Sequence, residues 1–142
     1  MLREKLLDLV NNYPDFPKEG INFKDIMPVL RSPEIFKDLI YAISISQSCL
    51  SSEAIIAVDA RGFIFGSCVA FNLNKPLIVA RKPGKLPGEV ITGKYDLEYG
   101  SNSLSIQKEA IKEFNTFVII DDLLATGGTV EMISELIKKE DN

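Results

Sequence analysis

The chain has 142 residues and no histidine. Mechanisms that need an imidazole are therefore excluded within this polypeptide: Ser-His-Asp and Cys-His catalysis, and zinc sites built on histidine. Cysteine is scarce as well. Cys49 and Cys68 show no metal-like spacing, so a reduced, cytoplasmic compartment is the expectation, with Cys68 a small core residue. The net charge is −4 and no basic run or stripe is present, which argues against nucleic acid as a main partner. No apolar run approaches the length of a membrane span, and Met1 to Val10 is broken by charge, an amphipathic helix and not a signal peptide. Chemistry is left to carboxylates, Lys, Arg, Tyr, backbone dipoles or a metal held by oxygens. With 46% hydrophobic residues the chain reads as a single domain over 1–142, long enough for a real core.

The best-marked stretch is 117–129. Phe117 to Ile120 is an apolar, mostly β-branched run, the pattern of a strand buried on both faces. Asp121 and Asp122 follow, then Ala125, Thr126, Gly127, Gly128 and Thr129. A helical pattern comes next, with Val130, Ile133, Leu136 and Ile137 on one face. A strand ending in a glycine turn that opens a helix can cradle a phosphate, because the first helical N–H groups have no intrahelical partner. The plainer alternative is that Gly and Thr merely make the turn and cap the helix. Two adjacent carboxylates tilt the balance, since they repel unless water, a cation or sugar hydroxyls share the site.

Elsewhere, alternating strands and helices predict a parallel sheet with helices on its faces. A helix is expected over about 2–11, then a turn-rich loop over 11–20. Ser32, Pro33 and Glu34 start a second helix that buries Ile35, Phe36, Leu39, Ile40 and Ile43. A strand over 53–58 leads through a turn at Asp59 to Gly62 into a helix over 63–73, apolar nearly all round. Another strand spans 77–80. Residues 81–94 carry two Pro-Gly pairs and several cations, either a solvated hairpin tip or a mobile lid whose cations reach a polyanion. Two alternating strands are expected at 95–99 and 103–106, joined by a turn at 100–102. Phe16 and Phe23 either pin the first loop to the core, which their spacing favours, or line a pocket for a flat ligand.

Several segments occur in an order that carries more than any one alone: 15–26 (Asp15 to Ile26), 60–66 (Ala-Arg-Gly-Phe-Ile-Phe-Gly), 81–88 (Arg-Lys-Pro-Gly-Lys-Leu-Pro-Gly), 97–100 (Leu-Glu-Tyr-Gly) and 125–129 (Ala-Thr-Gly-Gly-Thr). Together they resemble the adenine phosphoribosyltransferases, a branch of the type I phosphoribosyltransferase family, over about residues 6–138. The resemblance implies a Rossmann-like α/β fold, with a small N-terminal, base-binding hood (1–30) and a flexible lid loop and hairpin (81–106). It implies the reaction of adenine with phosphoribosyl diphosphate (PRPP) to give AMP and diphosphate, with Mg²⁺ carried mainly by the diphosphate and no dedicated metal residue. A homodimer is expected.

By the same resemblance, Ala125 to Thr129 hold the 5′-phosphate, and Asp121 and Asp122 face the ribose hydroxyls. Ala60 and Arg61 hold the diphosphate, with a non-proline cis peptide near Ala60. Arg81 and Lys85 reach the diphosphate from the lid. Glu98 and Tyr99 position or protonate the purine, and Ile21, Asn22, Phe23 and Lys24 read it. Spacing alone would leave Glu98 a solvent-facing carboxylate and Arg61 a possible surface arginine. Lys24 stands where the family commonly has Arg, which removes a planar bidentate contact, and Asn22 replaces an apolar residue. The chain also stops one helix after the signature, where relatives continue with a further strand. An exposed sheet edge is therefore expected, left by a truncation or covered by a neighbouring subunit. Two rival readings keep the motifs without the transfer: a PRPP-binding module and an inactive remnant.

Overall fold

The computed structural model describes residues 1–97 and 100–140. They fall into two compact units that divide between Ile43 and Ser44. In the first, α1 (Leu2–Leu9) stops short of the expected helix because β1 (Asn11–Tyr13) pairs antiparallel with β2 (Phe23–Asp25). Three exposed residues are too few to show an alternation, so β1 is specified by its partner and not by its own pattern. The link between the strands is turn-like as expected. Gly20 N–H donates to the Asp15 carboxylate at 2.7 Å, and the Phe16–Pro17 peptide is cis. Phe16 does not pin this loop to a core: it is 53% exposed and meets Phe23 edge to face, with centroids 5.2 Å apart. Helices α2 (Met27–Leu30) and α3 (Pro33–Ser44) follow.

The second unit contains α4 (Gln47–Ser51), β3 (Ala54–Val58), α5 (Gly62–Leu73), β4 (Leu77–Ala80), β5 (Val90–Leu97), β6 (Gly100–Gln107), α6 (Lys108–Lys112), β7 (Phe117–Ile120) and α7 (Gly128–Glu140). Strands β4, β3 and β7 form a parallel sheet in that order. The central strand β3 is at most 2% exposed at every position, the burial its unbroken apolar run demands. Ala54, Ile56 and Val58 join Ile78, Leu104, Ile106 and Ile133 in one core, while Ala57 on the other face meets Gly66 of α5. Helices thus cover both faces, and the C-terminal edge of the sheet is left to its loops.

Three expectations need correction. Helix α5 is not buried all round, since Phe71 is 90% exposed. On α7, Val130 faces out and Met132 takes its place beside Ile133 and Ile137 in the buried stripe. The hairpin is longer than its alternation predicts: β5 begins at Val90, and Gly100 to Asn102 pair as strand residues, with Leu97 opposite Gly100. The ladder partner supplies what the weak strand propensity of Gly and Lys withholds. Arg81 fastens the hairpin to the end of β4 by exchanging backbone hydrogen bonds with Ser105 at 2.9 and 2.7 Å.

Candidate active site

Two strand-to-helix junctions lie side by side at the C-terminal edge of the sheet. After β3 the chain turns at Asp59, Ala60 and Arg61, and the Asp59–Ala60 peptide is cis, as the resemblance implied. The Asp59 carboxylate accepts the Lys82 N–H at 3.3 Å and lies 3.8 Å from Arg81 Nε. Arg81 Nη1 donates to the Lys85 carbonyl at 3.3 Å. Arg81 therefore links the cis turn, the start of the lid and the hairpin, its Nη1 bonded to Lys85 while its buried Nε makes no hydrogen bond.

After β7 come the two carboxylates. Asp122 is paired with Arg61 at 2.8 Å and its side chain is only 8% exposed. Asp122 N–H donates to Asp121 Oδ1 at 2.8 Å. Burial pushes the Asp121 carboxyl up to about 7, reinforced by the neighbouring Asp122 carboxylate and opposed by Arg61. The repulsion implied by adjacent acids is thus relieved in two ways, by a guanidinium from the other junction and by a proton near neutrality. Gly62, the first residue of α5, makes this proximity possible. A Cβ there would lie 2.9 Å from the Ile120 carbonyl, closer than side-chain carbons stand, and a tight 3.1 Å from Asp121 Oδ1.

Beyond Asp122, Leu123 to Thr126 are exposed, and Gly127 takes a φ of +82° before α7 begins. Gly128 N–H donates to the Thr126 hydroxyl at 3.2 Å. The turn is therefore open, with its N–H groups at the start of a helix of more than three turns.

Of the residues expected to form the site, Ala60, Arg61, Arg81, Lys85, Asp121, Asp122 and Ala125 to Thr129 belong to these two junctions and the lid base. Ile21 to Lys24 lie in the first unit, on and beside β2, where Lys24 Nζ donates to Asn12 Oδ1 at 3.1 Å. Glu98 and Tyr99 lie outside the described residues. Two residues escaped the sequence reading. Asp59 anchors the lid base through its side chain. Tyr95 faces the Thr129 and Asn102 side chains, with burial chiefly, and then the charges of Asp121 and Asp59, raising its phenol pKa. The available signal for Tyr95 was its parity on β5, shared with the buried Ile91, but the strand's true start was not legible.

Among the described residues no three acidic or cysteine side chains cluster to hold a metal. No helix among them is long and apolar enough to cross a membrane.

A phosphate-type helix start beside paired acids, at the edge of a parallel sheet, is the arrangement of a phosphoribosyl-transferring enzyme, and a model of the phosphoribosyl transferase domain matches residues 30–141. An adenine phosphoribosyltransferase of Prochlorococcus marinus strain AS9601 is 61% identical over 96% of this chain and 81% of its own length. One from Mycoplasmopsis synoviae is 48% identical over 95% of this chain and 79% of its own. Among solved structures, adenine phosphoribosyltransferase from Thermoanaerobacter pseudethanolicus superposes with a TM-score of 0.84 at 41% identity, covering 98% of this chain and 80% of that one. The Giardia lamblia enzyme, solved with 9-deazaadenine, gives a TM-score of 0.91 at 31% identity, covering 99% and 78%. The chain belongs to the phosphoribosyltransferase family, in its adenine phosphoribosyltransferase branch.

Proposed function

We propose that the protein transfers the 5-phosphoribosyl group of PRPP to N9 of adenine, releasing diphosphate and forming AMP. The observation that carries this is the Asp121–Asp122 pair, locked by Arg61 at the foot of the Gly127–Gly128 helix start. In the reaction the C1–O bond breaks, diphosphate leaves with the bonding electrons, and adenine N9 supplies the pair for the new C1–N bond while losing its proton. The ribosyl group passes through oxocarbenium character, so anionic neighbours and fixed geometry stabilise it most.

Each element has a role in this reading. The open turn from Ala125 to Thr129 binds the 5′-phosphate dianion through several converging N–H groups. Asp121 and Asp122 accept the ribose hydroxyls and face the developing positive charge. Ala60 N–H and Arg61 hold diphosphate, which requires Arg61 to share or leave Asp122. Arg81 and Lys85 would join it when the lid closes and excludes water. Ile21, Asn22, Phe23 and Lys24, in a base-binding hood, read adenine through backbone groups, with Phe23 against its face. Glu98 and Tyr99 position the purine. Mg²⁺ fits as an ion arriving with the diphosphate, whose oxygens and water meet most of its coordination. It would offset charge on the leaving group. A cytoplasmic homodimer is the expected setting.

Mixing the protein with adenine, PRPP and Mg²⁺ and following AMP tests the proposal. Turnover with hypoxanthine but not adenine would overturn the base assignment. No turnover with either base, while PRPP still raises the melting temperature, would leave a binding module. Omission of Mg²⁺ should abolish most of the rate, and sedimentation should find a dimer.

A further inference from the structure

We propose that Asp59 is a positioning residue for diphosphate: it fastens the start of the lid to the Ala60–Arg61 turn, so that the donors of both meet one ligand. This rests on the reading of Ala60, Arg61, Arg81 and Lys85 as diphosphate ligands above. The placement begins in the sheet. Val58 of β3 is paired with Ala80 of β4, and Asp59 N–H donates to the Ala80 carbonyl at 2.9 Å. The parallel ladder thus runs one bond past both strands and sets Asp59 beside Arg81. In a ladder one bond longer, the Asp59 carbonyl would accept the Lys82 N–H. The Asp59 carboxylate accepts it instead, at 3.3 Å.

The same oxygen, Oδ2, lies 3.8 Å from Arg81 Nε, close enough for an ion pair but too far for a hydrogen bond. That Nε is buried and has no acceptor. A buried N–H without a partner is unfavourable, and a shift of about 1 Å brings it within bonding distance of Oδ2. The Arg81 backbone is held by Ser105 at 2.9 and 2.7 Å, so the shift falls to the side chain. Its Nη1 donates to the Lys85 carbonyl at 3.3 Å, and a phosphate oxygen is a stronger, charged acceptor. Diphosphate therefore draws the Nη groups from Lys85, and Nε seats on Asp59. The far end of the lid is fastened as well: Gln107 Nε2 donates to the Pro87 carbonyl at 3.2 Å, and Lys108 N–H to the Glu89 carbonyl at 3.0 Å. Between the two fastenings Gly84 takes a φ of +80° with open space around it, so residues 83–86 can rearrange while both ends stay in place.

The sign of the effect makes this decidable. A carboxylate that merely stood near the site would repel diphosphate, and removing its charge would tighten binding. A carboxylate that aims the cations gives the opposite sign. Asp59→Asn keeps an oxygen for Lys82 N–H and loses the charge facing Arg81. Calorimetry with inorganic diphosphate and Mg²⁺ should show affinity lowered about fivefold, the upper end for an ion pair that solvent can reach. Asp59→Ala also loses the acceptor and should lower it about fivefold further. In both variants ribose 5-phosphate should bind as in the wild type, and KM for PRPP should rise while KM for adenine does not. Unchanged or tighter diphosphate binding in Asp59→Asn would overturn the inference. So would an equal loss of ribose 5-phosphate affinity with a lower melting temperature, the mark of a purely structural role. Should Asp59→Ala fail to fold, the near-isosteric Asn variant decides alone. A wild type that binds diphosphate but makes no AMP would sink the transferase reading, and the same titrations would still decide the role of Asp59. A wild type that binds no diphosphate would overturn both.

Discussion

The two junctions at the C-terminal edge of the sheet use similar residues to different ends. After β3, the chain passes through the Asp59–Ala60 turn into α5 almost at once, and Asp59 Oδ2 accepts Lys82 N–H at 3.3 Å and lies 3.8 Å from Arg81 Nε. After β7, the chain runs from Asp121 to Gly127 before α7 begins, and Leu123 to Thr126 stand exposed. The first junction is fastened to the lid base through Asp59 and reaches the second through Arg61. The second leaves N–H groups and a protonatable carboxyl for a ligand. They are joined at two contacts, Arg61 to Asp122 and Gly62 to the Ile120–Asp121 backbone. The first turn thus holds the paired carboxylates of the open one.

Breaking either contact tests this division of labour. The largest effect is expected from Asp122→Asn. It removes the charge opposite Arg61 and one of the two anions facing the ribosyl group, while retaining size. Turnover should fall on the order of 10²- to 10³-fold, the scale for losing one preorganised electrostatic partner of a transition state, with the fold intact by circular dichroism. Unchanged turnover would remove Asp122 from the mechanism. Gly62→Ala comes next. Its methyl would press on a carbonyl of β7, which is backbone and cannot swing aside, so the two junctions must separate. Overpacking of this kind costs about 1–3 kcal/mol, read as a lower denaturation midpoint with an unchanged slope. An unaltered midpoint would mean that α5 and β7 give way more easily than their geometry indicates.

Much of this arrangement was legible beforehand, and for identifiable reasons. Strand β3 and the Asp121–Thr129 segment have local codes: an unbroken apolar run, paired acids, glycines before a helix. The cis peptide near Ala60 was accessible only through the resemblance, because nothing in Asp-Ala-Arg dictates it. What stayed hidden depends on partners distant in sequence. Strand β1 exists because β2 lies beside it, and β5 extends back to Val90 because Arg81 and Ser105 clamp the hairpin to β4. The Arg61–Asp122 pair links residues that no spacing rule connects. Tyr95 is the same case. Its neighbours Thr129 and Asp121 come together only when the hairpin lies on α7.

The smallest predicted effect distinguishes the junctions by proton. Burial lifts the carboxyl of Asp121, at the open junction, from 3.8 to about 7. Between those values the folded chain binds more protons than the unfolded one, so stability must fall as pH rises. The contribution is complete below about pH 4 and is lost as pH passes 7. Three pKa units would amount to about 4 kcal/mol. The group is only partly buried and solvent screens it, so ~1–2 kcal/mol is the expected size. Asp121→Asn should flatten the pH dependence between 5 and 8 and leave the variant more stable than the wild type at pH 8. Its side-chain oxygen can still accept Asp122 N–H. In the wild type, kcat/KM for PRPP should climb through an apparent pKa near 7, because an ionised Asp121 suits a cationic ribosyl group and a protonated one does not. If denaturation curves of wild type and variant keep a constant separation from pH 5 to 8, Asp121 is ionised throughout. Arg61 would then be balancing both acids, not one.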